Sequence, residues 1–255
     1  MNIIGFQFDI AWEDKRANFA TVLRLLAKTG PDKGSVVVLP EMFGTGFSVG
    51  KGEAAEARGG ETEQFLANTA KEFGVCLIGG AAIRDRDDRV RNEALAFSPA
   101  GELLAVYAKM KPFTPGGEAE HHAAGERPVA FRWQDCTISP FICYDLRFPE
   151  LFREAAGAHR PELFVVLANF PEKRIHHWVR LLQARAIENQ AYVIGVNRIG
   201  SDPYYTYNGR SLIIDPEGDI LADAGEKEGC IRARLDLANL RKYREGLPFL
   251  DELKR

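Results

Sequence analysis

The sequence predicts one α/β domain built on mixed sheets, and three observations carry that prediction. Strand-like and helix-like stretches alternate along all 255 residues. Two strand pairs flank the turn signals Pro99-Ala-Gly101 and Pro216-Glu-Gly218, so hairpins occur among the strand–helix–strand units. No Pro/Ser-rich linker or shift of composition divides the chain, so residues 1–255 are read as a single domain, a length at which α/β folds commonly stay unsplit. Strands that alternate with both helices and hairpins imply mixed rather than purely parallel sheets. Two hairpin-bearing sheets packed face to face, with helices outside, would use every element.

Each element has its own reason. Ile3 to Phe8 reads as a strand, and Asp14 to Lys28 as a helix with Phe19, Val22, Leu23 and Leu26 on one face. Val36 to Leu39 is a short continuous apolar run, suited to a strand covered on both sides. Glu61 to Phe73 reads as the next helix and Val75 to Ala82 as the next strand. Glu93 to Phe97 and Leu103 to Tyr107 form the first hairpin. Thr137 to Ile142 is a strand, and Phe148 to Ala156 a helix opened by Pro149, a residue suited to a first helical position. Leu163 to Leu167 is a strand, His177 to Gln190 a long helix and Tyr192 to Val196 a strand. Ser211 to Ile214 and Asp219 to Ala222 form the second hairpin. Leu237 to Tyr243 begins a helical tail that Gly246 and Pro248 end.

Composition excludes several classes of function. Hydrophobic residues at 45% and charged residues at 27% describe a chain with a core, neither disordered nor membranous. A net charge of −3 supplies no basic footprint for nucleic acid. Arg84 to Arg91 is rich in charge, but its signs are mixed, as in a solvated hairpin. The first residues lack the basic start and small-residue cleavage site of a signal peptide, and no apolar run is long enough to span a bilayer. The expected location is the cytoplasm, where Cys76, Cys136, Cys143 and Cys230 are free thiols. No cysteine pair has C-x-x-C spacing. The neighbouring pairs His121-His122 and His176-His177 should diverge on a regular element, so no metal site is expected.

Cys143 lies in ISPFICYDLRFPELF, where an apolar strand ends and a helix soon begins. Backbone N–H groups and the positive end of a helix at such a corner can stabilise a thiolate or an oxyanion. A single cysteine is more often a small apolar packing residue, but Tyr144, Asp145 and Arg147 crowd this corner with polar groups. Cys76 and Cys230 sit inside strand patterns and Cys136 in a Gln-Asp-Cys turn, so all three read as structural. Glu41 ends the run SVVVLPEMF. A carboxylate at the mouth of a buried strand is half-desolvated, which raises its proton affinity and makes it a usable base, although taken alone this position reads as readily as a solvent-facing loop glutamate. Lys109 and Lys111 close LLAVYAKMKPF two residues apart, on one side of an extended chain, so alternation does not choose between them.

Glu, Lys and Cys in this order, inside LPEMFGTGFS, YAKMKPF, FICYDLRFPELFR, LLQARAIENQAYVIGVNRIG and GRSLIIDPEGDILADAG, resemble the nitrilase superfamily over nearly the whole chain. The TGFS after Glu41 and the ANFP ending at Pro171 look most similar to its omega-amidase-like branch. The resemblance implies a four-layer α-β-β-α sandwich that pairs into homodimers or larger assemblies. It implies hydrolysis of small amides through a cysteine thioester, with no metal or organic cofactor. By position it makes Cys143 the nucleophile, Glu41 the general base and Lys109 the oxyanion donor. Lys111 stands where the family commonly has a histidine. Glu118, placed by its offset from Phe113, matches a second assisting glutamate better than Glu120 does. Asn169 and Phe170 are expected to line the pocket with Tyr144, and Arg147 either meets the substrate or supports the scaffold.

The alternatives are a sister enzyme acting on nitriles, N-carbamoyl amino acids or other amides, and a non-catalytic interaction protein on the same fold. A nucleotide-binding domain would need a glycine-rich strand-to-helix loop, and neither Gly59-Gly60 nor Gly79-Gly80 has G-x-G-x-x-G spacing.

Overall fold

The structure, a computed structural model, describes residues 1–50 and 54–254. The first half of the chain runs β1 (Asn2–Gln7), α1 (Lys15–Thr29), β2 (Val36–Val38), β3 (Glu56–Ala57), α2 (Glu61–Phe73), β4 (Cys76–Arg84), β5 (Val90–Phe97), β6 (Leu103–Ala108) and the single turn α3 (Glu118–His121). The second half runs β7 (Phe131–Trp133), β8 (Cys136–Ile142), α4 (Pro149–His159), β9 (Leu163–Leu167), α5 (Ile175–Asn189), β10 (Tyr192–Val196), β11 (Ile199–Ser201), β12 (Thr206–Asn208), β13 (Leu212–Ile214), β14 (Ile220–Asp223), β15 (Gly229–Arg234) and α6 (Leu237–Gly246).

These strands make two mixed sheets. In the first, the order is β15-β1-β2-β4-β5-β6, with β3 added beside β4. In the second it is β14-β13-β10-β9-β8-β7. The centre of each is parallel, β1-β2-β4 and β8-β9-β10, and the hairpins add antiparallel strands at the edges. Alternation along each strand then sorts side chains into layers. Ile3, Val36, Val38, Cys76 and Ile78 point into the core shared with Ile138, Val165 and Ile194 of the second sheet. Ile4, Phe6, Val37 and Leu77 point the other way, against Phe19, Val22 and Leu26 of α1 and Leu66 of α2. On the far side Phe152 of α4 and Trp178 and Leu182 of α5 cover the second sheet. The result is an α-β-β-α sandwich, as the sequence predicts, and its strands buried on both faces explain the continuous apolar runs.

The differences from the sequence reading have local causes. In α1 the buried face is Asn18, Phe19, Val22, Leu25 and Leu26, with Leu23 only half-buried. The buried Asn18 is satisfied because its side chain bonds Ala11 and Gly44 backbone groups. Cys136 is not in a turn. Gln134, at φ 53°, makes the turn, and Cys136 opens β8 and is fully buried. The segment Arg84 to Arg91 is the exposed connection of β4 to β5, tied by Arg89 and Arg91 to Asp85. The strands β3, β7, β11 and β12 have two or three residues each, too short to leave a periodic signal. His176 and His177 do not diverge; their rings meet edge to face with centroids 4.1 Å apart.

Candidate active site

The site forms where strands of both sheets end on the same side. β2 ends at Val38, but the chain stays against β4: Leu39 N–H donates to Ile78 at 2.8 Å and Phe43 N–H to Gly80 at 3.2 Å. Glu41 is carried between these anchors, and Gly80 makes room for it. A Cβ at Gly80 would lie 2.7 Å from Met42 N and 2.8 Å from Glu41 Cα. Glu41 is therefore fully buried, not half-desolvated as its place at a strand mouth suggests.

β6 ends at Ala108, one residue before Lys109, so the alternation argument for Lys109 and Lys111 does not apply. Lys109 N–H donates to Asn92 and its carbonyl accepts from Gly125, each at 2.8 Å. Its side chain turns inward and is 1% exposed. Nζ donates to Glu41 Oε1 at 2.9 Å and to Glu118 Oε2 at 2.7 Å. Lys111 points elsewhere, its ammonium 5.0 Å above the Phe148 ring. Glu118 opens α3 and is fully buried, whereas Glu120 is exposed. Phe113 N–H donates to Glu118 Oε2 at 2.6 Å, which ties the lysine loop to this carboxylate.

Cys143 stands at the end of β8 with φ 45°, a left-handed conformation uncommon for a residue with a side chain. Asp145 shapes that corner. Its buried carboxylate accepts Ile142 N–H at 3.0 Å, Lys111 N–H at 2.9 Å and the Tyr107 hydroxyl at 2.8 Å. It thus joins the cysteine turn to the lysine loop. Burial pushes the Asp145 carboxyl up to about 7, against the pull of Lys109 and these donors. The Cys143 thiol donates to the Asn169 carbonyl across 3.8 Å. Asn169 in turn donates its N–H to Glu41 Oε2 at 2.8 Å and its side-chain amide to the Glu41 carbonyl at 2.7 Å. Asn169, in the loop after β9, so joins the thiol to the Glu41 carboxylate in the loop after β2.

Electrostatics follow from this packing. Burial, reinforced by the charge of Glu41, pushes the Cys143 thiol well above its ordinary range. Burial opposes the Lys109 charge, but Glu118 and Glu41 outweigh it and hold the ammonium protonated. Burial likewise opposes the Glu118 charge, but Lys109, His122 and Phe113 N–H keep that carboxyl below the usual carboxylate range. The arrangement is a neutral thiol beside an ammonium flanked by two carboxylates.

Cys143 opens into a narrow cleft lined by Tyr144, Arg147, Asn169, Phe170 and Arg174, with Phe47 and Phe113 among its apolar walls. Arg147 stacks 5.4 Å above Phe170 and meets His177 Nδ1 at 3.2 Å. Arg174 lies 5.5 Å above Phe113. Burial and the charge of Arg174 both lower the proton affinity of Arg147, so the cavity wall carries two mutually repelling cations. Every residue expected at the site is thus in or beside it. Sequence reasoning missed Arg174, hidden in an exposed-looking EKR turn, and Asn92. Asn92 gave no such signal, because it stands between the charged Arg91 and Glu93 at the start of its strand. Among the described residues no cluster of His, Cys, Asp and Glu has the geometry to hold a metal.

A family model described as carbon-nitrogen hydrolase matches residues 5–245. The chain is 34% identical to the 2-oxoglutaramate amidase of Bacillus subtilis (strain 168), over 98% of this chain and 96% of that one. It is 37% identical to the omega-amidase YafV of Escherichia coli (strain K12), over 97% and 94%. Among solved structures, XC1258 of Xanthomonas campestris, a CN-hydrolase superfamily protein, is 32% identical and superposes with a TM-score of 0.93, covering 99% of this chain and 96% of that one. Nit3 of Saccharomyces cerevisiae, of the nitrilase superfamily, is 28% identical with a TM-score of 0.86, over 97% and 94%.

Proposed function

Because the chain belongs to the carbon–nitrogen hydrolase family, we propose that it hydrolyses small omega-amides, such as 2-oxoglutaramate, to the acid and ammonia. The observation that carries the chemistry is the buried cluster of Glu41, Lys109 and Glu118 against a thiol on a left-handed turn. Cys143 is the nucleophile. Its raised proton affinity means that it must lose the proton as it attacks, and Glu41 is the base that takes it. Lys109 has three hydrogens, of which two are held by Glu41 and Glu118. The third donates to the oxyanion, together with the N–H of Tyr144 in the unpaired first turn that follows Cys143.

The C–N bond then breaks, Glu41 returns the proton to the leaving nitrogen, and ammonia departs. Water attacks the thioester and gives a proton to Glu41. The C–S bond breaks, and the sulfur recovers that proton. Every step uses the chain's own groups, so turnover is expected to survive EDTA.

The substrate class is supported by the relatives named above and by the cavity wall. Among the described residues, Arg147 and Arg174 beside the nucleophile have aromatic rings, not carboxylates, as their packing partners. A substrate carboxylate at the far end from the amide supplies the missing negative charge. Ammonia release from 2-oxoglutaramate, an uncharged amide such as butyramide, a nitrile and an N-carbamoyl amino acid tests this reading. The omega-amide is expected to lead, and Arg174→Ala is expected to raise its KM while leaving butyramide unchanged. A preference for the nitrile or the carbamoyl acid contradicts the substrate class without touching the triad.

The same reading places the enzyme in the cytoplasm as a homodimer or higher homo-oligomer with no nucleic-acid or membrane partner. Four free cysteines agree with a reducing compartment, and no described helix is long and apolar enough to cross a membrane. Ile187 of α5 is 51% exposed, and Leu221 of the edge strand β14 and Phe249 near the C-terminus are exposed too, an apolar supply for contact between copies. Sedimentation of the purified chain as a monomer at micromolar concentration contradicts the assembly.

A further inference from the structure

The charged cluster contains a side chain to which the reaction above gives no task. Asn92, third residue of β5, is 1% exposed. Its Nδ2 donates to Glu41 Oε1 at 2.7 Å and to Glu118 Oε1 at 2.8 Å. Both hydrogens of the amide are thus given to different carboxylates. Its backbone carbonyl accepts Lys109 N–H at 2.8 Å. One residue, held in an inner strand of the first sheet, touches all three charged members of the cluster.

The two oxygens of Glu41 are unequally filled. Oε1 receives both Lys109 Nζ and Asn92 Nδ2, which fills its two lone-pair sites. Oε2 receives the Asn169 N–H at 2.8 Å, with the Asn169 amide at 3.4 Å already engaged more closely by the Glu41 carbonyl. Oε2 keeps a lone pair, and it is the oxygen on the Asn169 side, where the thiol lies. We propose that Asn92 is a positioning residue for the base, fixing the Glu41 carboxylate so that Oε2 alone is open to the thiol proton. The inference rests on the reading of Glu41 as base.

An amide suits this place for a reason of charge. One ammonium serves two buried carboxylates, and Asn92 adds two donors without adding charge. The titratable neighbours are Lys109 after β6, Glu118 and His122 at the two ends of α3, and Cys143 and Asp145 at the turn after β8. Of these, His122 faces only Glu118, across 3.7 Å. In Asn92→Asp a third carboxylate joins the cluster with no further cation. One carboxyl then stays protonated to a higher pH, and two hydrogens are no longer available to hold Glu41 and Glu118 together. Asn92→Ser keeps one hydrogen, enough for one carboxylate.

The test measures ammonia release from 2-oxoglutaramate against pH for wild type, Asn92→Asp, Asn92→Ser and Glu41→Gln, with circular dichroism to confirm folding. Alkylation of Cys143 by iodoacetamide, followed by mass spectrometry over the same pH range, reports the base without turnover. Asn92→Asp is expected to lower kcat about 10- to 100-fold with KM nearly unchanged, part of the range a positioned base supplies. The acidic limb of kcat/KM and of alkylation should both move to higher pH, and Asn92→Ser should fall between this variant and wild type. A merely structural asparagine would lower the folded fraction and leave both pH profiles in place. Folded Asn92→Asp or Asn92→Ser with wild-type profiles overturns the inference while Glu41→Gln is inactive. Wild-type turnover by Glu41→Gln removes the base, and this inference with it.

Discussion

Lys109 and Lys111 carry the same charge two residues apart, yet only Lys109 has its charge enclosed. Its ammonium is shared by two buried carboxylates, whereas that of Lys111 rests on an aromatic face. Loss of an oxyanion donor acts in the transition state, so it should lower kcat far more than it raises KM, by about 10²–10³ in rate. Lys109→Met is therefore expected to be nearly inactive and Lys111→Met merely impaired, as measured by steady-state kinetics on folded protein. Arginine at 109 should not rescue, because its wide planar fork cannot occupy the site of a compact ammonium. The reverse order of the two methionine variants would place the oxyanion donor at Lys111. At this scale the sequence was informative about identity and silent about partners. Glu41, Lys109 and Cys143 stood out because each ends or follows an apolar strand. Asn92 gave little sign, because what makes it matter is the meeting of residues 26 and 51 positions away.

At the scale of elements, the site depends on how strands end. Gly80 lies under Glu41, where any Cβ would meet backbone atoms closer than 3 Å. Backbone has little freedom to yield, so Gly80→Ala is expected to destabilise by about 1–3 kcal/mol, the usual cost of overpacking. It should also lower kcat by shifting Glu41, and chemical denaturation with kinetics on the same preparation would read both effects. Unchanged stability and turnover would mean that the β2 end is not held as described. The central strands and long helices were legible because their periodicity spans many residues. The left-handed turn at Cys143 was not, since nothing in ICYDLR announces a positive φ. It is fixed by Asp145, which reaches back to Ile142 and across to Tyr107 and Lys111.

Across the whole molecule, the charged cluster belongs to the first sheet and the thiol to the second, so the packing of the sandwich is what assembles the site. Asn169, two residues past β9, bonds Glu41 beyond the end of β2, 128 residues away. The pairing of the two sheets could be inferred from hairpins mixed with helices, but their register against each other is a property of the packed core. The cluster also links the fold to pH. Glu118 is held below its ordinary value of 4.5 in the folded chain, so the unfolded chain binds the proton more readily. Its contribution to stability is complete above about pH 4.5 and is lost as the pH falls toward the folded-state value. Glu118→Gln should therefore show a shallower fall of melting temperature with acidification below that pH. An unchanged slope would mean that Glu118 is not an ionised partner of Lys109.

In the proposed reaction Cys143 carries the acyl group between its two halves. Rapid acid quench of the protein during turnover of 2-oxoglutaramate, followed by peptide mass spectrometry, tests it directly. The acyl mass is expected on the peptide containing Cys143, sensitive to hydroxylamine as a thioester is, and absent from Cys143→Ala, which should be folded and inactive. An acyl group on Cys76, Cys136 or Cys230, or continued turnover by Cys143→Ala, would contradict it.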